Sequence, residues 1–169
     1  MQLLRKGTAI METIKSFTVN HIDLLPGLYV SRQDKVGEEI VTTFDMRVMR
    51  PNVEPVMDTG AIHTLEHLFA TYLRNDAKWK EGVIYLGPMG CRTGFYIILA
   101  GDLKPLDIKD LVSGMVDFAA EFDGDIPGVS ARECGNYCDH NLLVAKYYAN
   151  KYKNEVLSDF TEERYIYPR

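Results

Sequence analysis

The segment HTLEH, which begins at His63, constrains the fold most, because it lies within a stretch that reads as one helix, AIHTLEHLFATYLRN. Residues three and four apart share a helical face, so His63, Glu66 and His67 would project together. Two imidazoles on one face can bind a single divalent cation, with the carboxylate beside it for proton transfer. The pattern therefore predicts a metal site on a helix whose N-cap is Asp58 or Thr59.

The hydrophobic pattern of the rest of the chain predicts a mixture of strands and helices. Alternation and β-branched residues indicate strands, and apolar residues at helical spacing indicate helices. The predicted strands are 39–49, 82–86 and 93–100, and the predicted helices are 60–75, 106–122 and 136–157. These elements do not alternate regularly, so we predict a single α+β domain with helices packed on a mostly antiparallel sheet.

The composition is that of an ordinary globular domain of 169 residues, with 46% hydrophobic and 25% charged residues. A net charge of -5 without a basic cluster argues against nucleic acid and against a membrane surface as partners. No apolar run reaches the length of a membrane span, and the N-terminal residues lack the pattern of a signal peptide. We therefore expect a cytoplasmic protein.

The first eleven residues are interpreted separately from the rest. Met11 is followed by ETIKSF and could be an alternative start, which would make residues 1–11 an N-terminal extension. The catalytic domain is then expected to span residues 12–169.

A catalytic metal site usually has three protein ligands and an open position, so the two histidines need a third ligand from elsewhere. A thiolate would suit zinc or ferrous iron. An odd, sparse set of three cysteines also fits a reducing compartment better than a disulfide framework. The spacing alone leaves five candidates open, which are Cys134, Cys138, Cys91, His21 and His140.

The local sequence separates some of these candidates. Cys134 precedes Gly135 at a predicted loop-to-helix junction, a favourable position for a thiolate. Cys138 follows one helical turn later and is interpreted as a helix-packing residue. Cys91 lies in the turn GPMGCRTG beside Arg92, where a neighbouring cation lowers a thiol pKa. His21 and Arg47, taken alone, are interpreted as surface or hydrogen-bonded structural residues.

Five segments together resemble the S-ribosylhomocysteine lyase family of the LuxS type, which makes the precursor of autoinducer-2. They occur in the family's order and span about residues 12–150. The segments are SFTVNH at 16–21, TTFDMRV at 42–48, HTLEH at 63–67, GPMGCRTGFY at 87–96 and ECGN at 133–136. The chain differs from many members at Tyr85-Leu86-Gly87, where an aspartate and a serine are common.

The resemblance implies a role for eight residues. It implies that His63, His67 and Cys134 bind the metal, typically Fe²⁺ and replaceable by Zn²⁺ or Co²⁺. Cys91 and Glu66 would be the paired acid and base, and the substrate pocket would include Ser16, His21 and Arg47. It also implies a homodimer with active sites at the interface, each built from both chains, and S-ribosylhomocysteine as the substrate.

Two other functions are compatible with H-x-x-E-H. In an inverted-zincin metallopeptidase, Glu66 would activate a zinc-bound water. In a non-catalytic metal-binding domain the metal site would be closed and Cys91 would have no role. The small chain and the thiolate ligand argue against the peptidase.

Overall fold

Residues 42–47 of the segment Glu39–Arg47 are all buried, which places this segment in the middle of a sheet. The computed structural model describes residues 3–6 and 9–168 of the chain. The strands and α-helices in these residues are β1 Leu3–Lys6, β2 Ala9–Glu12, β3 Gly27–Val36, β4 Glu39–Arg47, α1 Thr59–Asn75, β5 Val83–Pro88, β6 Gly94–Ala100, α2 Pro105–Glu121 and α3 Leu142–Tyr152. The predicted α+β class is confirmed.

The main sheet is fully antiparallel and has the strand order β3-β4-β6-β5. Strands β3 and β4 form a hairpin whose last paired residues are Val36 and Glu39. Gly37, the first residue of the two-residue turn, has φ 65°, which fits the type II′ turns that match the strand twist. Strands β1 and β2 pair with each other as a separate small sheet.

One face of the sheet packs against all three helices. Phe44 and Met46 of β4 point into this core, as do Phe95 and Ile97 of β6. Each such side chain contributes roughly 1.5–3 kcal/mol when fully buried. The intervening residues of β4 point to the opposite face, away from the three α-helices, which we call the open sheet face. On β4 these residues are Thr43, Asp45 and Arg47.

Helix α1 has one face in the core and the other directed away from it. The side chain of Asp58 caps its N-terminus by accepting a hydrogen bond from the Ala61 backbone at 2.9 Å, as predicted. Ala61 and Leu65 are fully buried in the core. By helical periodicity His63, Glu66 and His67 lie on the other side, where all three side chains are half-buried.

The helix predicted over 136–157 is shorter than expected. Helix α3 begins at Leu142, where the side chain of Asn141 accepts a hydrogen bond from the Val144 backbone. The residues before it form turns, so the interpretation of Cys138 as a helix-packing residue was wrong. Cys138 is exposed.

Strand β3 was not predicted, because only its first residues are buried and a bulge between Val30 and Arg32 interrupts the alternation. The proposed extension of residues 1–11 includes β1 and all of β2 except its last residue, Glu12. Residues 1, 2, 7 and 8 of it lie outside the described part of the chain, as does residue 169. None of the described helices is long and apolar enough to cross a membrane.

Candidate metal centre and reactive thiol

Four side chains from α1 and the loop before α3 form a group that could hold a metal ion. They are His63, His67, Cys134 and His140, whose ligand atoms all lie within 4.8 Å of one another. His63 Nε2 is 3.4 Å from Cys134 Sγ. Two ligands of one tetrahedral ion are separated by about 3.5 Å, so this pair already has the spacing of a shared cation.

Backbone carbonyl groups orient both histidines of α1. His63 Nδ1 lies 2.9 Å from the Asp139 carbonyl oxygen, and His67 Nδ1 lies 2.7 Å from that of Pro127. A carbonyl can only accept, so each Nδ1 carries the proton and each Nε2 presents a lone pair. Gly128 supports this arrangement, because its φ of +72° strains other residues and a Cβ there would contact the His67 ring.

Cys134 belongs to a turn in which its backbone N–H donates to the Ser130 carbonyl at 3.0 Å. The backbone N–H of Asn136 lies 3.4 Å from Cys134 Sγ and stabilises negative charge on the sulfur. Two imidazoles and one thiolate are a ligand set that suits Fe²⁺, Zn²⁺ or Co²⁺. The donor atoms present therefore fit the metal that the sequence predicts.

His140 stacks on His63, with ring centroids 4.1 Å apart and 23° between the planes. The Thr64 hydroxyl donates to the Gly60 carbonyl and therefore accepts from His140 Nδ1 at 3.2 Å. His140 Nε2 is buried and has no hydrogen-bond partner among the described residues. Burial, together with the charges of His63 and His67, lowers the pKa of His140 and favours its neutral form.

The stacking of His140 on His63 is the feature that sets it apart from the other two histidines. Imidazoles that share a tetrahedral ion have centroids about 5 Å apart. The His67 ring meets this spacing with both His63, at 4.7 Å, and His140, at 4.9 Å. The nearly parallel stack of His140 on His63 at 4.1 Å is closer than that, and it favours His140 as the packing partner that holds the His63 ring in place.

An open cleft of about 540 Å³ exposes the metal group to solvent. Glu66 lines the cleft beside His63 and His67, at the position expected of an acid/base group next to a metal. Gly135 lies opposite and has open space where a Cβ would be, so the cleft can admit a ligand there. Cys91 does not line this cleft.

Cys91 lies in a tight turn between β5 and β6. Arg92 has φ 55°, an uncommon conformation for a residue with a side chain. Backbone hydrogen bonds hold it, because Arg92 N–H donates to the Met89 carbonyl and the Arg92 carbonyl accepts from Met57, each at 2.9 Å. Met57 directly precedes the N-cap of α1, so the turn that carries Cys91 is tied to the start of the helix that carries His63 and His67.

Polar neighbours activate the Cys91 thiol. Its sulfur is 3.1 Å from Thr93 Oγ1 and 3.7 Å from Arg47 Nη1, which also donates to the Thr93 hydroxyl. Burial raises the pKa of Cys91, but hydrogen bonds with Thr93 and the charge of Arg47 outweigh this effect and lower the pKa below its ordinary value. An exposed thiol with a lowered pKa is the kind that reacts as a thiolate, so we expect Cys91 to be reactive.

Arg47 is only 3% exposed, so of the two interpretations taken from the sequence the structure excludes a surface residue and agrees with a hydrogen-bonded one. Its Nη2 donates to Asp45 Oδ2 at 2.5 Å, and both side chains of this ion pair are buried. Burial alone would lower the pKa of Arg47, but the ion pair raises it, so the guanidinium keeps its charge. That charge is available to the Cys91 sulfur.

The remaining predicted residues lie elsewhere in the chain. Ser16 lines a cavity of about 580 Å³ over the open sheet face, together with Arg32, Tyr85 and Tyr96. His21 is half-buried, and its Nδ1 contacts the Val19 carbonyl at 2.9 Å. The single chain therefore presents a metal cleft, a reactive thiol and a cavity on the sheet as separate features.

Sequence reasoning missed three residues that act on Cys91 directly or through Arg47. Thr93 is two residues after Cys91 in the turn GPMGCRTG, and a hydroxyl so close in sequence indicates a hydrogen-bond donor for the thiol. Asp45 alternates with Arg47 on one face of β4, a pattern that predicts an ion pair. Tyr167 donates to Asp45 Oδ2 at 2.8 Å, and no local pattern indicates this contact from the C-terminal end.

Comparison with known proteins finds one matching family and a set of similar proteins that share one name. The profile of a family described as S-Ribosylhomocysteinase (LuxS) matches residues 14–163. A protein from Clostridium beijerinckii named S-ribosylhomocysteine lyase is 57% identical over 158 residues, which are 94% of this chain and 99% of that protein. Proteins of the same name from Finegoldia magna and Borreliella burgdorferi are 54% and 49% identical over 94% of this chain and 99% and 100% of their own lengths.

We predict that Thr93→Val raises the pKa of Cys91, because the thiolate loses a hydrogen bond. The pH profile of Cys91 alkylation by iodoacetamide, followed on the Cys91 peptide by mass spectrometry, should move to higher pH. At neutral pH the reaction should be roughly 3- to 10-fold slower. Thr161→Val, which changes an exposed threonine, is the control, and an unmoved profile in Thr93→Val would contradict the activation described above.

Proposed function

Because the chain belongs to the S-ribosylhomocysteinase (LuxS) family, we propose that it is a carbon–sulfur lyase that cleaves S-ribosyl-L-homocysteine. The products are L-homocysteine and 4,5-dihydroxy-2,3-pentanedione. The observation that carries this proposal is the family match over residues 14–163, which includes every proposed metal-binding, acid/base and substrate-binding residue. The named relatives are all lyases, and no observation favours the metallopeptidase or the non-catalytic metal-binding domain.

His63, His67 and Cys134 are the proposed metal ligands, with Fe²⁺ as the resident ion and Zn²⁺ or Co²⁺ as substitutes. The Nε2 lone pairs and the short distance from His63 Nε2 to the sulfur support this assignment. Three protein ligands leave one position for substrate, as a catalytic site requires. The bound metal supplies Lewis acidity toward the carbonyl and hydroxyl oxygens of the sugar.

Glu66 and Cys91 are the proposed proton-transfer groups. The reaction must move the ribose carbonyl along the carbon chain by enolisation until it activates β-elimination of homocysteine. Each enolisation removes a proton from one carbon and returns one to its neighbour, so the protein needs a base whose conjugate acid remains in place. The Cys91 thiolate and the Glu66 carboxylate can both act in this way, and neither needs to activate water.

Ser16, His21 and Arg47 are the proposed substrate-binding residues. The cavity beside Ser16 contains hydroxyl groups and Arg32, which suit a polar, zwitterionic substrate. Tyr85, where the sequence differs from many family members, lines this cavity. Its hydroxyl also occupies the space that a side chain on Gly87 would need. We propose that Tyr85 shapes the end of the pocket that receives the amino-acid part of the substrate.

We propose that the active enzyme is a homodimer with its two active sites at the interface. Within the described residues of one chain, Cys91 and Ser16 do not line the cleft that contains Glu66 and the metal group. A second chain over the open sheet face would bring these features together. Exposed apolar side chains there, including Ile14 and Tyr85, support this arrangement.

The cellular assignments are also proposals. The three free cysteines and the proposed thiolate ligand are consistent with a cytoplasmic enzyme that needs a reducing environment. In that compartment it would recycle homocysteine and form the precursor of autoinducer-2, a quorum-sensing signal. We further propose that residues 1–11 are an extension in front of a catalytic domain of residues 12–169, since the family match begins at residue 14.

The lyase activity predicts release of one thiol per substrate. Metal-replete protein is incubated with S-ribosylhomocysteine, the protein is removed by filtration, and the filtrate is titrated with a chromogenic disulfide, so the protein's own cysteines do not contribute. Cys91→Ala should lower turnover by about 10³-fold or more, because an acid/base group is lost, while the metal content stays near one per chain. Absence of thiol release from the unmodified protein would overturn the assignment.

The ligand assignment predicts which substitutions remove the metal. His63→Ala and Cys134→Ser should each reduce the metal content from about one per chain to a small fraction. His140→Phe keeps a ring against His63 and should retain the metal. Metal analysis of protein purified without air and the thiolate-to-cobalt charge-transfer band of the Co²⁺ form are the measurements. Equal metal loss in His140→Phe would make His140 a ligand, and zinc in place of iron would refute iron as the resident ion.

The proposed dimer predicts that a charge on the open sheet face separates the chains. Ile14 is 57% exposed, and Ile14→Asp should shift sedimentation equilibrium toward the monomer and make thiol release fall on dilution. Leu143 is 81% exposed on α3, on the helical side, so Leu143→Asp is the matched control. A monomeric unmodified protein with full activity would exclude an active site built from two chains.

A further inference from the structure

A chain of hydrogen bonds connects the C-terminal tail to the reactive thiol. The Tyr167 hydroxyl donates to Asp45 Oδ2 at 2.8 Å, and the same oxygen accepts from Arg47 Nη2 at 2.5 Å. Arg47 Nη1 in turn donates to Thr93 Oγ1 at 2.5 Å and lies 3.7 Å from Cys91 Sγ. The tail therefore acts on the ion pair that faces the thiol.

We propose that Tyr167 is a positioning residue that keeps Cys91 reactive by holding the Asp45 carboxylate against the Arg47 guanidinium. The consequence for catalysis rests on the proposed lyase function, but the effect on the thiol does not. Tyr167 lies beyond residues 14–163, which the family profile matches. The proposed effect on Cys91 therefore depends on a residue outside the segment that the family profile matches.

The position of Tyr167 is well determined by its surroundings. Its ring stacks on Tyr29, with centroids 4.7 Å apart and 8° between the planes. Tyr29 is fully buried, and its hydroxyl lies within hydrogen-bond distance of the carbonyl oxygens of Leu25 and Glu163, which share its single proton. Arg164 also donates to the Pro26 carbonyl at 3.0 Å, which ties the tail to the start of β3. The hydroxyl of Tyr167 is thus held at Asp45 by a packed ring and an anchored backbone.

The effect of Tyr167 on the thiol follows from the donors available to Asp45. Asp45 Oδ1 is buried and has no hydrogen-bond partner among the described residues, so Arg47 and Tyr167 provide the contacts of this carboxylate. Without the Tyr167 hydroxyl, Arg47 is the remaining hydrogen-bond donor to the Asp45 carboxylate among the described residues. The carboxylate then neutralises more of the positive charge of Arg47. The Cys91 thiolate then loses part of its stabilisation, and its pKa rises.

Other titratable and polar groups face the same network and must remain unchanged in a test. Tyr96 on β6 and Arg32 on β3 lie on the open sheet face with Asp45 and Arg47. Ser31 also shares a side-chain hydrogen bond with Tyr167. A substitution that removes only the Tyr167 hydroxyl leaves all of these groups in place.

The test compares three substitutions in the metal-loaded, full-length protein. Tyr167→Phe keeps the ring stack and removes the hydroxyl, whereas Tyr167→Leu removes both. Tyr165→Phe removes a hydroxyl from the same tail, two residues away, and is the matched control. The pH profile of iodoacetamide alkylation is measured on the Cys91 peptide by mass spectrometry, so the other two cysteines do not contribute.

We expect Tyr167→Phe to move the Cys91 profile to higher pH and to slow alkylation at neutral pH about 3-fold. Tyr167→Leu should have at least this effect, and Tyr165→Phe should have none. The acid limb of the pH profile for thiol release should move in the same direction. A single cooperative melting transition well above the temperature of the assay shows that Tyr167→Phe is folded.

Two results would overturn the role of Tyr167. One is an unmoved alkylation profile in folded Tyr167→Phe, and the other is an equal displacement in Tyr165→Phe. Failure of the unmodified protein to release thiol would refute the lyase function without affecting the alkylation result. The two proposals therefore fail separately.

Discussion

Helix α1 packs into the core on one face and carries the candidate metal ligands on the other, and the geometry of the site depends on both faces. One face is packed into the core through residues such as Ala61 and Leu65, which fixes the rotation of the helix about its axis. With the rotation fixed, His63 and His67 can point only toward the loop before α3. Carbonyl groups of that loop then determine which nitrogen of each ring is protonated. Core packing and the geometry of the candidate metal group are therefore parts of one arrangement.

The second centre depends on a buried ion pair rather than on packing. Burying Asp45 and Arg47 costs several kcal/mol per ion, and their mutual attraction offsets this only with good geometry and further hydrogen bonds. Thr93 and Tyr167 provide those bonds, although Asp45 Oδ1 and Arg47 Nε remain without partners among the described residues. A pair of apolar side chains of similar volume would fill this space at a lower cost in folding free energy. The charge is useful because it faces Cys91 and lowers the thiol pKa.

Elements with a strong period were predicted well, because side-chain periodicity reports which face is buried. The α1 and α2 helices and β4, β5 and β6 all have bounds within two residues of the predicted ones. The prediction failed where the local pattern does not decide the structure. The residues before Leu142 have helical spacing, yet they form turns, because their backbone groups contact α1 at His63 and Thr64. Strand β3 was missed because its second half is an exposed hairpin arm.

The sequence by itself determined the chemistry of the protein, since residue types and short spacings identify what groups can do. The H-x-x-E-H spacing predicts two ligands and a carboxylate on one helical face, and Cys134 and Cys91 provide the thiols. Only the tertiary structure decided which of these groups meet. Contacts between residues over 70 apart bring Cys134 and His140 to His63, and Tyr167 reaches Asp45 across 122 residues. Such contacts depend on how the core orients whole elements, and no local pattern encodes that.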